Sequence, residues 1–176
     1  KYRTAALQSG TIMVPETRTL DWKSASDFAN QVHQIVADKP LPKTGLEGRS
    51  DAARILLSKL VLKEDIAGVN QTLMKLAVWG NCGSSWPLNK DGNYDFTLIL
   101  LTIIYGQFGD QPELIYPETK DYLFNVLLSE DGSRFSYTVP RTFGFVQETE
   151  NHMLMTEGSR YLKNQWLRKQ GHSELQ

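Results

Sequence analysis

Glu148, Asn151 and His152 are residue types that can move a proton or neutralise an acid, and their spacing puts all three on one face of a helix. Glu148 and His152 are four residues apart, so a helix lets them pair, which would orient the imidazole and raise its basicity. Asn151 adds amide donors beside them. A histidine titrates close to neutral pH, which suits a general base, and an amide with a nearby guanidinium such as Arg160 can stabilise charge that develops next to a carboxylate. The same face continues through Met155, Gly158, Ser159, Leu162 and Trp166 and becomes small and apolar. Arg160 and Tyr161 point away from it and join such a site only if the helix wraps a pocket. The competing reading is a capped helix start, with Glu148 at the positive end of the dipole and Asn151 and His152 satisfying buried neighbours.

A second cluster is Asn89-Lys90-Asp91-Gly92-Asn93-Tyr94-Asp95. It has the alternating oxygen donors of a calcium loop, but aligned on Gly92 the first ligand position falls on Pro87 and the last on Leu98, where a bidentate Glu is required. It therefore reads as a polar turn leading to an Asp95-capped helix. With Trp79, Trp86, Tyr94 and Asp91 it also has the aromatic and acidic groups of a sugar-stacking wall, the plainer alternative being core packing. Glu148 with Asp91 or Asp95 offers a further arrangement, paired carboxylates, which needs a separation of roughly 5 to 10 Å across a cleft. His33 and His172 complete the histidines, and none of the three has metal-ligand spacing, so neither metal nor cofactor is expected. Cys82, the single cysteine, excludes an internal disulfide and a Cys-rich zinc site and has no His or Lys beside it to activate the thiol. Asn70-Gln71-Thr72 fits a glycosylation acceptor but falls inside an expected helix.

The elements that must position these groups are helical. Ser24 or Ser26 caps a first helix whose Phe28, Val32, Ile35 and Val36 share a face, ended by Pro40 and Pro42. Ser50-Asp51 opens a second through Ile55, Leu56, Leu60 and Val61. A third runs from Asp65 to Trp79, and the segment 80–85 breaks it. The apolar run Phe96–Tyr105 forms a buried fourth helix, too short for the roughly 20 residues that cross a bilayer. Pro117 opens a fifth, Glu118–Leu128. Residues 134–139 alternate and supply one short strand or hairpin, and the longest helix runs from Gln147 to Gln170 and stops at Gly171. Residues 1–20 read as a loosely ordered lead-in. With 176 residues and 40% hydrophobic content the chain suits one helical domain, 1–176, with a buried core. A net charge of -1 gives no global field toward nucleic acid or an anionic membrane. The start at Lys1 without Met is expected of a processed or excised chain, and the late end of the last helix suits part of a larger helical array.

The string Glu148-Thr149-Glu150-Asn151-His152, followed by Leu154-Met155 and Ser159-Arg160-Tyr161-Leu162, resembles the Asn-His helix of bacterial (α/α)-toroid proteins, the group that includes heparinase-like and alginate-lyase-like polysaccharide lyases. The match covers residues 143–166 closely and the remaining helical pattern loosely. It implies an all-α fold of stacked antiparallel helices in a toroid or partial toroid, acting on an acidic polysaccharide by β-elimination in the periplasm or outside the cell. Asn151 would neutralise the uronate carboxylate, His152 would be the base or a second neutraliser, and Tyr161, Tyr94 or Tyr137 would be the acid or base. The family's pattern is a longer toroid followed by a β-sandwich, so these 176 residues are expected to be a truncated or half-toroid chain with an incomplete cleft. The alternative is a noncatalytic helical module that binds a carbohydrate, acidic or neutral, or a protein through aromatic-lined loops.

Overall fold

Short polar side chains set several of the helix starts. In the computed structural model, which describes residues 23–41, 49–79, 82–83, 94–129, 136–138, 141 and 144–171, α1 (Ala25–Ala37) opens on Ser24. The Ser24 hydroxyl accepts the Asp27 amide at 3.1 Å, satisfying one of the free N–H groups of the first turn. α2 (Arg49–Leu62) and α3 (Ile66–Leu73) are joined through Asp65, which takes a left-handed conformation (φ 47°) and caps α3 by accepting the Gly68 amide. The carboxylate lies where a side chain on Gly68 would start, only 2.5 Å from that position, so the cap requires a glycine there.

The apolar period of the third helix continues to Leu76, but the helix ends at Leu73 and not at Trp79. The Lys75 and Leu76 amides both turn back onto the Thr72 carbonyl, and the Tyr122 hydroxyl donates to the Leu76 carbonyl at 2.6 Å. Leu76 is thus buried by a tethered turn rather than by another turn of helix. α4 (Tyr94–Phe108) is apolar on nearly every side because it lies between α2 and α6. α5 (Pro117–Tyr122) begins with Pro117 and runs directly into a π-helical turn, Leu123–Leu127. Leu56, Leu60, Val69, Leu73, Leu101, Ile104, Leu123 and Leu127 form one core. α1 lies on α2, where His33 and Ser58 are hydrogen-bonded at 3.1 Å, while Phe28 and Val32 of its expected inner face stay partly exposed.

A hairpin of β1 (Ser136–Thr138) and β2 (Phe145–Gln147) pairs Tyr137 with Val146. Gln147 is paired with Ser136, so it cannot begin the last helix; α6 (Glu150–Lys169) starts three residues later, after Thr149. α4 and α6 are neighbours and run parallel: Asp95 meets His152 near both starts, and Tyr105 meets Trp166 near both ends. This pair departs from the antiparallel stacking expected. Among the described residues no helix is long and apolar enough to cross a membrane. The expected lead-in lies outside them.

Asn70 holds the turn before α5. Its side chain is buried, donates to the Ile66 and Leu114 carbonyls at 2.8 and 2.9 Å, and accepts the Tyr116 amide at 2.9 Å. This full engagement gives the Asn70 side chain a structural role, in place of the glycosylation that its sequence context suggested. Asn70→Ala strips two backbone groups on the far side of their partner, each worth about 1–3 kcal/mol when buried. We expect the variant to lose roughly 2 kcal/mol or more in urea unfolding; an unchanged midpoint would remove Asn70 from this role.

Candidate functional site

The strongest concentration of chemistry among the described residues lies between the starts of α4 and α6. α6 turns His152, Thr156, Ser159 and Lys163 inward, spaced at four, three and four residues so that they form one buried polar stripe. His152 Nδ1 is hydrogen-bonded to Asp95 Oδ2, and the Phe96 ring stands edge-on to the imidazole at 5.3 Å. His152 is 7% exposed and Asp95 fully buried. Thr156 Oγ1 donates to the His152 carbonyl and Ser159 Oγ to the Met155 carbonyl, back-bonds that satisfy these hydroxyls inside the helix. The Lys163 ammonium lies 5.3 Å from the centre of the Phe124 ring.

Asp95 is therefore not mainly a helix cap, as its position suggested; its carboxylate reaches across to the imidazole. Burial pushes its pKa up from the ordinary 3.8, while the His152 hydrogen bond and charge, and the amides of Asp95 and Phe96 at the helix start, pull it back. Asp95 Oδ1 and Thr97 Oγ1 form no hydrogen bond of ordinary geometry among the described residues. An acid holding one ring nitrogen of a histidine fixes the tautomer and leaves the other nitrogen as the base.

Glu148, Asn151 and His152 are not brought to one surface. Asn151 is exposed, and its amide oxygen accepts the Thr149 hydroxyl at 2.6 Å, whereas His152, about 100° further round the helix, faces the core. The hydrogen-bond partner of His152 is Asp95 rather than Glu148, which is buried and accepts the Thr149 amide at 2.7 Å. The face expected to carry the site is divided: His152 and Ser159 lie inside with Thr156 and Lys163, whereas Asn151, Gly158 and Leu162 lie outside. Arg160 pairs with Glu157 along the helix surface, and Tyr161, 63% exposed, stands away from the Asp95–His152 pair. Tyr94 is no sugar platform: it is fully buried, its hydroxyl donates to the Leu127 carbonyl at 2.8 Å, and the half-buried Trp79 meets it edge-on at 5.8 Å. Tyr137 lies in β1. Trp86, Asp91 and His172 lie outside the described residues, as does most of the polar turn 89–95.

At the opposite end of the same helix pair is an open cleft of about 180 Å³, lined by Tyr105, Gly106, Asp110, Lys120, Trp166, Lys169 and Gln170. Trp166 packs on Tyr105 with ring centres 4.6 Å apart, and a side chain on Gly106 would come within 3.2 Å of the indole, so the glycine lets Trp166 lie across α4. Lys120 bonds Asp110 at 2.7 Å and sits 5.8 Å from the Tyr105 ring centre; the contact holds Asp110 below its usual range and raises Lys120. Sequence reasoning missed this cleft, because its members come from α4, the turn after it, α5 and the end of α6. It also missed the Asp95–His152 pairing, whose only sequence trace is one polar residue at the start of an otherwise apolar helix.

No protein-family model, curated protein or solved structure matches the chain. Its chemistry is read from these two places alone. Among the described residues no cluster of three or more His, Cys, Asp and Glu is placed to hold a metal ion.

The Asp95 carboxyl sets a pH dependence. Its folded-state pKa lies above 3.8, so over the window from 3.8 up to that raised value the folded chain keeps a proton that the unfolded chain has released. The folded state then binds more protons, and the contribution of Asp95 to stability falls as pH rises through the window. Asp95→Asn cannot titrate. Urea midpoints measured in steps from about pH 3 to about pH 7 should show the variant without this descending component; parallel profiles for the two proteins would count against the raised pKa.

Proposed function

We propose that the chain is a helical module that binds an acidic glycan, within a toroid-like helical array, and does not cleave it unaided. The observation that carries this reading is the contrast in access between the two places: the imidazole is closed into the α4–α6 seam, whereas the cleft beside Trp166 is open to solvent. The cleft holds what sugar recognition needs. An indole offers a flat apolar face, Gln170 and Asp110 offer groups for hydroxyls, and two ammonium groups against one carboxylate favour a sugar bearing an acid. Its volume is below the roughly 300 Å³ of a typical small-molecule pocket, which suits one ring of a longer chain. The resemblance of the Asn151-His152 string to lyase helices supports the choice of an acidic glycan.

The Asp95–His152 pair favours a second reading, β-elimination. In that chemistry the free ring nitrogen of His152 takes the proton next to a uronate carboxylate, the electrons form a new carbon–carbon double bond, and the glycosidic oxygen leaves with its electron pair. Such a step requires the seam to open, because the imidazole is 7% exposed.

Titration calorimetry with alginate, heparin-type and pectic oligosaccharides separates the readings, with ultraviolet absorbance followed for the unsaturated product. Binding without product is expected. Lys169→Ala and Gln170→Ala, both at exposed positions, should each weaken it about three- to tenfold, equivalent to roughly 1 kcal/mol. Absorbance that rises with the parent and stays flat with His152→Ala would establish the lyase reading instead, and no heat with any of the glycans would end the binding one.

A further inference from the structure

The middle of α6 buries polar residues and exposes apolar ones, while Trp166 and Leu167 nearer its end pack on the core. Its buried positions are His152, Thr156, Ser159 and Lys163, while Leu154, Tyr161 and Leu162 are 73%, 63% and 41% exposed. At about 100° per residue Leu154, Gly158, Tyr161 and Leu162 form one outward stripe. Single exposed apolar residues are ordinary, but a stripe of large ones opposite a buried polar stripe marks a surface that meets something. Gly158 strengthens the point. Glycine in the middle of a helix is unfavourable, and a side chain at Gly158 would meet nothing within 4 Å, so packing within the chain gives no reason for it. A glycine between two leucines on an outward stripe is what close approach of another backbone requires.

We infer that this stripe is a self-association surface on which α6 of one chain packs antiparallel against α6 of a second copy, crossing at Gly158. The sequence is arranged symmetrically about that residue: Leu154 and Leu162 stand four positions to either side, so a two-fold axis there puts Leu154 of each copy against Leu162 of the other. The charges select the direction. The exposed Glu150 near the start of α6 and the exposed Arg168 near its end are 18 residues apart, five full turns, so they project from the same edge of the stripe. In an antiparallel pair like edges meet, which brings Glu150 of each copy towards Arg168 of the other and opposes the helix dipoles favourably. A parallel pair would put the two copies of this edge on opposite sides of the interface, leaving Glu150 and Arg168 without that partner and aligning the helix dipoles unfavourably. One helix pair buries less than a standard interface, so the association is expected to be weak, in the micromolar range.

Analytical ultracentrifugation of the chain from about 1 µM to about 500 µM tests it. A reversible shift from monomer to dimer mass is expected. Leu154→Glu, at a position 73% exposed and outside the core, should raise the dissociation constant at least tenfold. Gly158→Ala should do two opposite things: raise the urea midpoint of the monomer, because alanine favours the helix and meets nothing, and weaken dimerisation. Glu150→Arg and Arg168→Glu should each weaken the dimer, and the double exchange should restore it, which only the antiparallel arrangement predicts. A chain that stays monomeric across the range, or dimerises with an affinity unchanged by Leu154→Glu and Gly158→Ala, overturns the inference.

Discussion

The register of α6 on α4 depends on a polar contact inside the core. Asp95 and His152 are both buried, and each is the other's partner, so neither helix can turn or slide without stranding an ionisable group away from water. Removing one member of such a pair typically costs about 3–5 kcal/mol, whereas the net gain from the intact pair is small, because desolvation offsets most of the attraction. The pair therefore works as a selector. It stabilises this docking of α6 little in absolute terms but makes the alternatives expensive. Thr156 and Ser159 reinforce the selection by bonding to carbonyls of their own helix, which lets a small polar face lie against α4 without open hydrogen bonds. Lys163 keeps its ammonium over the Phe124 ring, a contact that partly compensates for a buried cation.

The second attachment is apolar and lies at the other end. From Asp95 to Tyr105 α4 rises about 15 Å, and between the residues that meet them, His152 and Trp166, α6 rises about 21 Å. The helices are thus pinned by a buried acid–imidazole hydrogen bond at their starts and by stacked aromatics at their ends. Two unlike contacts that far apart fix both rotation and slide, and they fix the direction too, since only a parallel arrangement satisfies both. The close approach of Trp166 to Gly106 makes the aromatic end as particular as the polar one. The cleft is a by-product of this geometry: the indole that pins the helix ends also forms a wall of the open space beside Lys120 and Lys169.

Much of the helical architecture was legible because apolar spacing and polar caps agree. Ser24 caps α1 as its sequence suggests, Pro117 opens α5, and the apolar run of α4 is buried as its composition requires. The failures have definite causes. The third helix stops early because Tyr122, some 46 residues away, captures the Leu76 carbonyl, an interaction with no local signal. The last helix starts late because Gln147 has a strand partner. Tyr94 reads as a loop-rim aromatic by position, yet its hydroxyl has a backbone acceptor inside the core, which allows it to be buried. The face of α6 was misplaced for a deeper reason. The sequence pattern places Asn151 and His152 together on a face open to a site, and nothing local to α6 shows that a carboxylate on another helix draws His152 inward and leaves Asn151 outside.

That division bears on where function can reside. A helix with an ordinary amphipathic pattern has one buried face and one solvated face, and its chemistry lies at the ends or in loops. α6 has given His152, Thr156, Ser159 and Lys163 to its buried side and keeps Leu154, Tyr161 and Leu162 outside. Its histidine is consequently sequestered where it specifies packing, and its open surfaces are the aromatic and cationic cleft at its end and the apolar stripe along its side. A buried acid–imidazole pair can serve both docking and proton transfer only if the seam opens, and opening would release the register that the pair maintains. Binding at the cleft carries no such conflict, because Lys120, Lys169 and Gln170 can meet a ligand while the Tyr105–Trp166 contact beneath them stays closed.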